Sequence, residues 1–326
     1  MTLLAHTAPP GPPSPDRVRR VTAPERLAAL SRLLGRTREQ AERFIGFAAQ
    51  EKLPLDDLWA CFDHEERMEA VALLSPGHGR TAMLTLSPLR GAREERAGIE
   101  TVRAVLADCD GSRLALVQAL LEPRQRLEAT ALSAAGMRVL ATLNYMERLM
   151  PRAVRDAPGE PIALPAEAAT ETFTDTPEAR AELSALLDAT YEDTLDCPGL
   201  SGLRTPEDIL EGHRRGGRFD PSLWTILRLD GRAAGAVLLN PSPNLAGSEL
   251  VYLGLVPSAR GRGLGRSLLE CALEIAARRG DRAIMLAVDE ENAPAQRLYR
   301  ASGFRRTARR VAFVAPISGA RGSFAG

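Results

Sequence analysis

Aromatic residues are scarce, at 4% of the chain, and lysine is nearly absent, with Lys52 the single example. So few aromatics argue against a platform on which nucleic-acid bases stack. Arginines spread along the chain supply the other positive charges, and 42 Lys+Arg balance 42 Asp+Glu. A protein that holds nucleic acid through its phosphates needs a basic excess, and this one has none. The four cysteines, Cys61, Cys109, Cys197 and Cys271, include no C-x-x-C pair, and the four histidines are scattered. A structural zinc site needs clustered ligands, so no metal is expected. No apolar run reaches the roughly 18–20 residues that span a bilayer. Met1 to Pro15 lacks a basic segment leading into a long apolar one, so it does not read as a signal peptide. Its prolines make it a disordered tail, drawn here to residue 20. The expected compartment is the cytoplasm, with no membrane or nucleic-acid partner.

What the sequence does contain fits a globular α/β protein. Hydrophobic residues make up 44% and charged residues 26%, and 326 residues exceed what one core usually needs, so two domains are expected. In the first half the patterning predicts helices over Arg26–Leu34, Arg38–Gln50, Glu94–Ala107 and Arg124–Ala135. Strands are predicted over Glu69–Leu74, Thr81–Leu86, Arg113–Leu121 and Arg138–Arg148. Ser31, Gly35 and Thr37 supply breaks, and Thr37 with Gln40 resembles a capping box. Pro151 to Pro165 is proline-rich and reads as a linker. The second half predicts helices over Pro177–Leu187, Gly265–Arg279 and Ala293–Ala301. Its predicted strands are Trp224–Leu229, Ala233–Leu239, Glu249–Val256, Ala283–Val288 and Thr307–Val314, the last closing the sheet. Asp230-Gly231 is a strong hairpin signal.

The halves echo one another. Leu132-Ser-Ala-Ala-Gly136-Met lies about 167 residues before Tyr299-Arg-Ala-Ser-Gly303-Phe, and the preceding strands keep the same spacing. Two copies of one fold are inferred, over 21–150 and 166–326.

The sharpest motif runs from Glu249 to Ser267, with Arg260-Gly261-Arg262-Gly263-Leu264-Gly265-Arg266 joining a strand to a helix. Glycines let backbone N–H groups approach an anion, and the helix N-terminus adds partial positive charge. Together they suit a phosphate or pyrophosphate, with Arg260, Arg262 and Arg266 as cations at the rim. The spacing is neither a P-loop nor G-x-G-x-x-G. A dinucleotide site stays open as a minor alternative, because Asp289 falls where a ribose-binding acid would sit. So does a plain helix-entry turn with no ligand.

The combination of Arg260-x-x-Gly263-x-Gly265 with Val256-Pro257 before it and Asn292-Ala-Pro-Ala295-Gln-Arg-Leu298-Tyr299-Arg-Ala-Ser-Gly303-Phe304 after it resembles the GCN5-related N-acetyltransferases, the GNAT family. The close match covers Trp224 to Val314. The resemblance implies tandem GNAT-like domains, each a mixed, mostly antiparallel sheet flanked by helices. It implies a strand that carries a bulge, ends near Val256, and splays from the strand Ala283–Val288. The pantetheine of acetyl-CoA would lie in that gap, paired to backbone of Leu255 and Val256. Its pyrophosphate would sit on the stretch from Arg260 to Ser267, including Gly261, Arg262, Leu264 and Arg266, with Asn292 contacting the cofactor.

The implied reaction moves an acetyl group to a primary amine, expected to belong to a small molecule, by direct attack in a ternary complex. Glu249 would take a proton from the amine, the Val256 N–H would stabilise the oxyanion, and Tyr299 would protonate the leaving thiolate. Glu192 and Asp196 would receive a cationic acceptor. Plainer alternatives remain for each residue: Tyr299 as a core aromatic, Glu249 as a solvated strand end, the Tyr191–Pro198 stretch as a solvated loop. Cys197 reads as inert and His213 as a surface residue.

The first half keeps the shape without the signature. Gly91 and Gly98 are far apart, Glu94 and Glu95 would repel a pyrophosphate, and Leu132 stands where Tyr299 stands in the second copy. It reads as a degenerate copy, expected to pack on the active domain and wall off the acceptor. An acyl-CoA sensor without turnover and a protein N-acetyltransferase are the competing functions.

Overall fold

The computed structural model describes residues 17–35, 37–50, 54–150, 164–242 and 246–317. Met1–Pro15 and most of the expected linker lie outside the described residues. The chain forms two compact units, each assembled from separate stretches.

The first unit comprises residues 1–75, 84–108 and 127–136. It holds β1 (Val18–Arg20), β2 (Leu58–Phe62) and β3 (Met68–Pro76), paired antiparallel in that order. The strand β1 falls in the stretch that the sequence reading gave to the tail. Helices α1 (Arg26–Leu34) and α2 (Arg38–Gln50) take the predicted bounds. Ser31 does not break α1: its hydroxyl donates to the Leu27 carbonyl one turn back, at 2.9 Å. The helix ends instead at Gly35, in the left-handed region. Thr37 and Gln40 do form the capping box. Leu30, Leu33, Leu58, Phe62 and Val71 bury the inner faces of these elements. Helix α3 (Gly91–Asp108) and most of α4 (Arg126–Ala134) complete the unit.

The second unit comprises residues 76–83, 109–126 and 137–326. Its strands are β5 (Leu116–Leu121), β6 (Arg138–Leu149), β7 (Ala168–Thr172), β8 (Trp224–Leu229), β9 (Arg232–Pro241), β10 (Ser248–Leu255), β11 (Ala283–Asp289) and β12 (Arg305–Pro316). They are ordered β5-β12-β6-β11-β10-β9-β8-β7. Thr81–Met83, the start of β4 (Thr81–Leu86), pairs parallel to β5. The helices are α5 (Pro177–Tyr191), α6 (Pro206–Arg215), α7 (Leu264–Arg279) and α8 (Ala293–Ala301). The mixed sheet with flanking helices is the expected fold class.

Two strands depart from the expected topology. The strand β12 does not close the sheet at an edge but lies between β5 and β6. The strand β6, read as the end of the first copy, lies between β11 and β12 of the second. Each copy therefore lends its last strand to the other. Leu268, Leu269 and Ala272 of α7 pack with Ile284, Leu286, Val288 and Met146 on one sheet face. Leu183 and Leu187 of α5 and Leu210 of α6 pack with Trp224 and Leu238 on the other. No helix among the described residues is long and apolar enough to cross a membrane.

Candidate functional site

The site begins where two strands part. The parallel pair β10–β11 holds only at Ser248–Ile284 and Glu249–Met285. The antiparallel pair β10–β9 continues to Leu255, with a bulge at Val251. A bulge tightens local twist and turns the strand away from its neighbour, so β10 splays from β11 beyond Glu249.

Along β10 the backbone groups alternate sides. The Val256 N–H donates to the Ala234 carbonyl of β9 at 2.9 Å. The Val256 amide is therefore committed, and the oxyanion role expected of it is corrected. By the same alternation Leu253 and Leu255 turn their amides toward the gap. Of the expected pantetheine partners, Leu255 faces the slot and Val256 does not.

At the end of β10 a short 3-10 turn, Pro257–Ala259, leads into the glycine-rich turn and α7. Gly261 and Gly263 have φ of 74° and 81°, a region that carries little strain only for glycine. A β-carbon at either would meet no atom within 4 Å, so both face open space. Gly263 caps α7 without a side-chain bond. The amides of Gly261, Arg262, Gly263, Leu264 and Gly265 have no protein acceptor among the described residues, whereas those of Arg260, Arg266 and Ser267 are bonded to Pro257 and Gly263 carbonyls. Five consecutive free donors at a helix N-terminus form a cradle for an anion.

The arginines behave differently from the expected rim of cations. Arg260 turns inward: its guanidinium donates to the carbonyls of Leu255, Asp193, Thr190 and Glu192 at 3.1, 3.0, 3.0 and 2.7 Å. It ties the C-terminal end of α5 to the end of β10, and its role as a phosphate cation is corrected. Arg262 pairs with Glu167 at 2.6 Å, and the exposed Arg266 lies 3.5 Å from Glu270.

Across the gap, the loop after α5 is fastened to the end of β11. The Asp289 N–H donates to the Asp196 carboxylate at 2.9 Å, and the Cys197 N–H donates to that of Asp289 at 3.1 Å. Asp289 also accepts the Glu291 N–H at 3.0 Å and is buried. It is used up inside the chain and does not present itself to a ribose. Asn292 caps α8, accepting the Ala295 N–H at 3.2 Å.

Part of Asp196 remains open to solvent, yet burial pushes its carboxyl above the usual range, and the charge of Asp289 adds to that. Glu192, the other expected acceptor ligand, is exposed at the C-terminal end of α5. The Cys197 thiol is pushed up to about 12 by burial, then by Asp196 and Asp289, so it stays protonated and unreactive.

Tyr299 of α8 is buried, 5.7 Å edge-on from the Phe304 ring. Burial, then the charge of Asp196, raises its phenol. Such a group stays protonated and is suited to donate a proton. Glu249 is exposed at its surface, but withdrawal of water on its inner side raises its carboxyl. The structure thus fastens Asp196 to the end of β11, with Tyr299 near enough to feel its charge, and puts Glu249 where β10 and β11 part.

Sequence reasoning missed residues behind the loop. Tyr252 hydrogen-bonds Thr190, and its ring lies tilted 5.8 Å from that of Tyr191 and 5.1 Å from that of His213. His213 is not a surface residue. Burial, then Arg204, pushes its imidazole down to about 4, and its Nε2 has no partner. The bulge at Val251 turns Tyr252 inward, and the sequence gives no sign of it.

In the first unit the corresponding turn is filled by the chain itself. The Arg90 N–H donates to the Glu94 carboxylate at 2.7 Å, and the Leu89 N–H donates to that of Glu128 at 2.8 Å. Carboxylates of the protein occupy the position an anion would take.

A splayed strand pair with an amide cradle beside it suits a transferase that holds an acyl carrier by its phosphates. The acetyltransferase (GNAT) family model matches residues 187–304. The chain is 32% identical over 241 residues to the mycothiol acetyltransferase of Thermomonospora curvata, covering 74% of this chain and 75% of that one. It is 30% identical over 310 residues to the mycothiol acetyltransferase of Clavibacter sepedonicus, covering 92% and 96%. A tandem GNAT protein from the clavulanic acid biosynthesis pathway shares the fold, with a TM-score of 0.52 at 14% identity over 93% of this chain and all of that one. The chain belongs to the GNAT acetyltransferase family and is an acyltransferase.

Proposed function

We propose that the second unit transfers an acetyl group from acetyl-CoA to a primary amine of a small molecule, in the cytoplasm and without a covalent enzyme intermediate. The observation that carries this is the run of five free amides from Gly261 to Gly265 beside the splay of β10 from β11. The pyrophosphate of acetyl-CoA sits on those amides, and its pantetheine enters the gap along Leu253 and Leu255. Residues 166–326 supply the catalytic copy, and 21–150 a copy whose own cradle is filled.

An ammonium has no lone pair to attack with. Glu249 takes its proton, directly or through a water. The nitrogen then attacks the thioester carbonyl, forming a C–N bond, while gap-facing amides of Leu253 and Leu255 stabilise the oxyanion. Collapse breaks the C–S bond. The thiolate takes its proton from Tyr299, and the nitrogen's second proton passes to solvent, which reprotonates Tyr299. Asp196, held by the Asp289 amide, and Glu192 face the incoming cation.

The relatives' name makes unacetylated mycothiol the first acceptor to offer. Loss of thioester absorbance, with the product mass as confirmation, measures turnover. Tyr299→Phe is expected to lower kcat by about 10²-fold and leave the Kd of acetyl-CoA unchanged. Tight acetyl-CoA binding with no turnover of any amine would instead mark a sensor.

A further inference from the structure

Alternate residues of a strand face opposite ways. In β11, Ile284, Leu286 and Val288 are buried against α7 and α8, while Met285 is half-buried and Ala287 exposed. The strand β11 is an interior strand, between β10 and β6. An exposed alanine there means that no helix covers that patch of the sheet.

Register decides which side chains share the open face. Met285 pairs with Glu249 of β10 on one side and Glu147 of β6 on the other, and Ala287 pairs with Tyr145 of β6. The two glutamates stand two strand spacings apart, roughly 10 Å at the backbone, with Tyr145 one pleat further on. The charge of Glu249 reaches the Tyr145 phenol and, after burial, helps to raise it. Arg305 of β12 is the other cross-strand neighbour of Glu147, and no ion pair joins them among the described residues.

The same strand reaches the loop after α5. The Arg138 guanidinium donates to the Gly199 carbonyl at 2.8 Å, and a Leu140 methyl lies 3.1 Å from where a β-carbon on Gly199 would be. Arg260 and Asp289 pin that loop elsewhere. The strand that carries Tyr145 and Glu147 is thus tied at its start to the loop after α5.

We propose that β6, a strand of the non-catalytic copy, forms the acceptor-side wall of the transfer site, with Glu147 and Glu249 flanking the acceptor's ammonium and Tyr145 orienting it. This rests on the acetyl-transfer reading above. Two carboxylates divide two tasks: Glu147 keeps the cation in place while Glu249 removes its proton. The site then selects cationic amines over neutral hydroxyl acceptors of similar shape. It also explains why a copy with a filled cradle is retained: its last strand is part of the active site.

The test is steady-state kinetics of the full chain with acetyl-CoA and four amines: unacetylated mycothiol, cysteine methyl ester, tyramine and spermidine. Glu147→Gln and Tyr145→Phe are expected to raise the acceptor KM about ten-fold. The Kd of acetyl-CoA and the thermal midpoint are expected to stay put, and Glu147→Asp to recover most of the loss. An unchanged acceptor KM in both variants overturns the proposal. So does a loss shared equally by acetyl-CoA binding and the thermal midpoint, which marks a purely structural strand. Failure of the acetyl-transfer reading shows in the wild type instead, as no turnover of any of the four amines, and removes this inference with it.

Discussion

At the scale of single residues, two acids are tuned by burial in opposite service. The phenol of Tyr299 is raised and stays protonated, fit to give a proton. The carboxyl of Glu249 is also raised, but the base role proposed for it requires the ionised form. As pH falls through the raised value, Glu249 gains a proton and kcat/KM drops, starting above the ordinary carboxylate range. Glu249→Gln is expected to abolish that limb, leaving only the acceptor's own titration, and to lower kcat by about 10²-fold. A pH–rate profile of both forms checks this, and an unaltered acid limb in the variant would assign the base elsewhere. The glycine cradle was legible in the sequence because free amides at a tight turn demand glycine. The use of Arg260 was not. An arginine beside glycines reads as a ligand cation, and only the fold brings the carbonyls of Thr190, Glu192 and Asp193 to it.

At the scale of elements, helices with a clear apolar stripe were read to the residue, as in α1, α2 and α8. The strand β7, Ala-Ala-Thr-Glu-Thr, offered no apolar alternation because it is largely exposed, and was missed. So was α6, which buries only Ile209 and Leu210. The Asp230-Gly231 turn was legible because both residues adopt the positive φ that the hairpin needs. One turn carries a constraint that the sequence hides. Gly79 has φ of 65°, and a β-carbon on it would lie 1.9 Å from the Asp208 carbonyl of α6. Gly79→Ala is expected to cost about 3 kcal/mol, a fall of about 5 °C in thermal midpoint. Differential scanning calorimetry measures it, and a shift under 2 °C, roughly the scale of a surface change, would mean the turn moves freely away from α6.

At the scale of the whole molecule, the repeat was legible and the exchange of strands was not. Periodicity identifies β6 and β12 as strands but says nothing of which distant strand each will pair with. In the structure β11 pairs with β6 from Ala283–Leu149 to Asp289–Leu143, and β12 is held between β5 and β6. A fragment of residues 164–326 loses both partners of β12 and one of β11. It is expected to show no cooperative unfolding transition by circular dichroism, even though it contains the whole family match. A cooperative transition with retained acetyl-CoA binding would show that the exchanged strands are dispensable.

We place acetyl-CoA in the gap between β10 and β11, with its pyrophosphate on the free amides. Gly265 tests it without backbone strain, because its φ is not positive and a β-carbon there makes ordinary contacts with Leu255 and Leu298. Gly265→Glu places a carboxylate at the mouth of the cradle. Titration calorimetry of acetyl-CoA into both proteins is the most direct measurement. Micromolar or tighter binding by the wild type, with at least about a hundred-fold loss in the variant, is the predicted result. Equal binding by both, or binding by neither, would contradict the account.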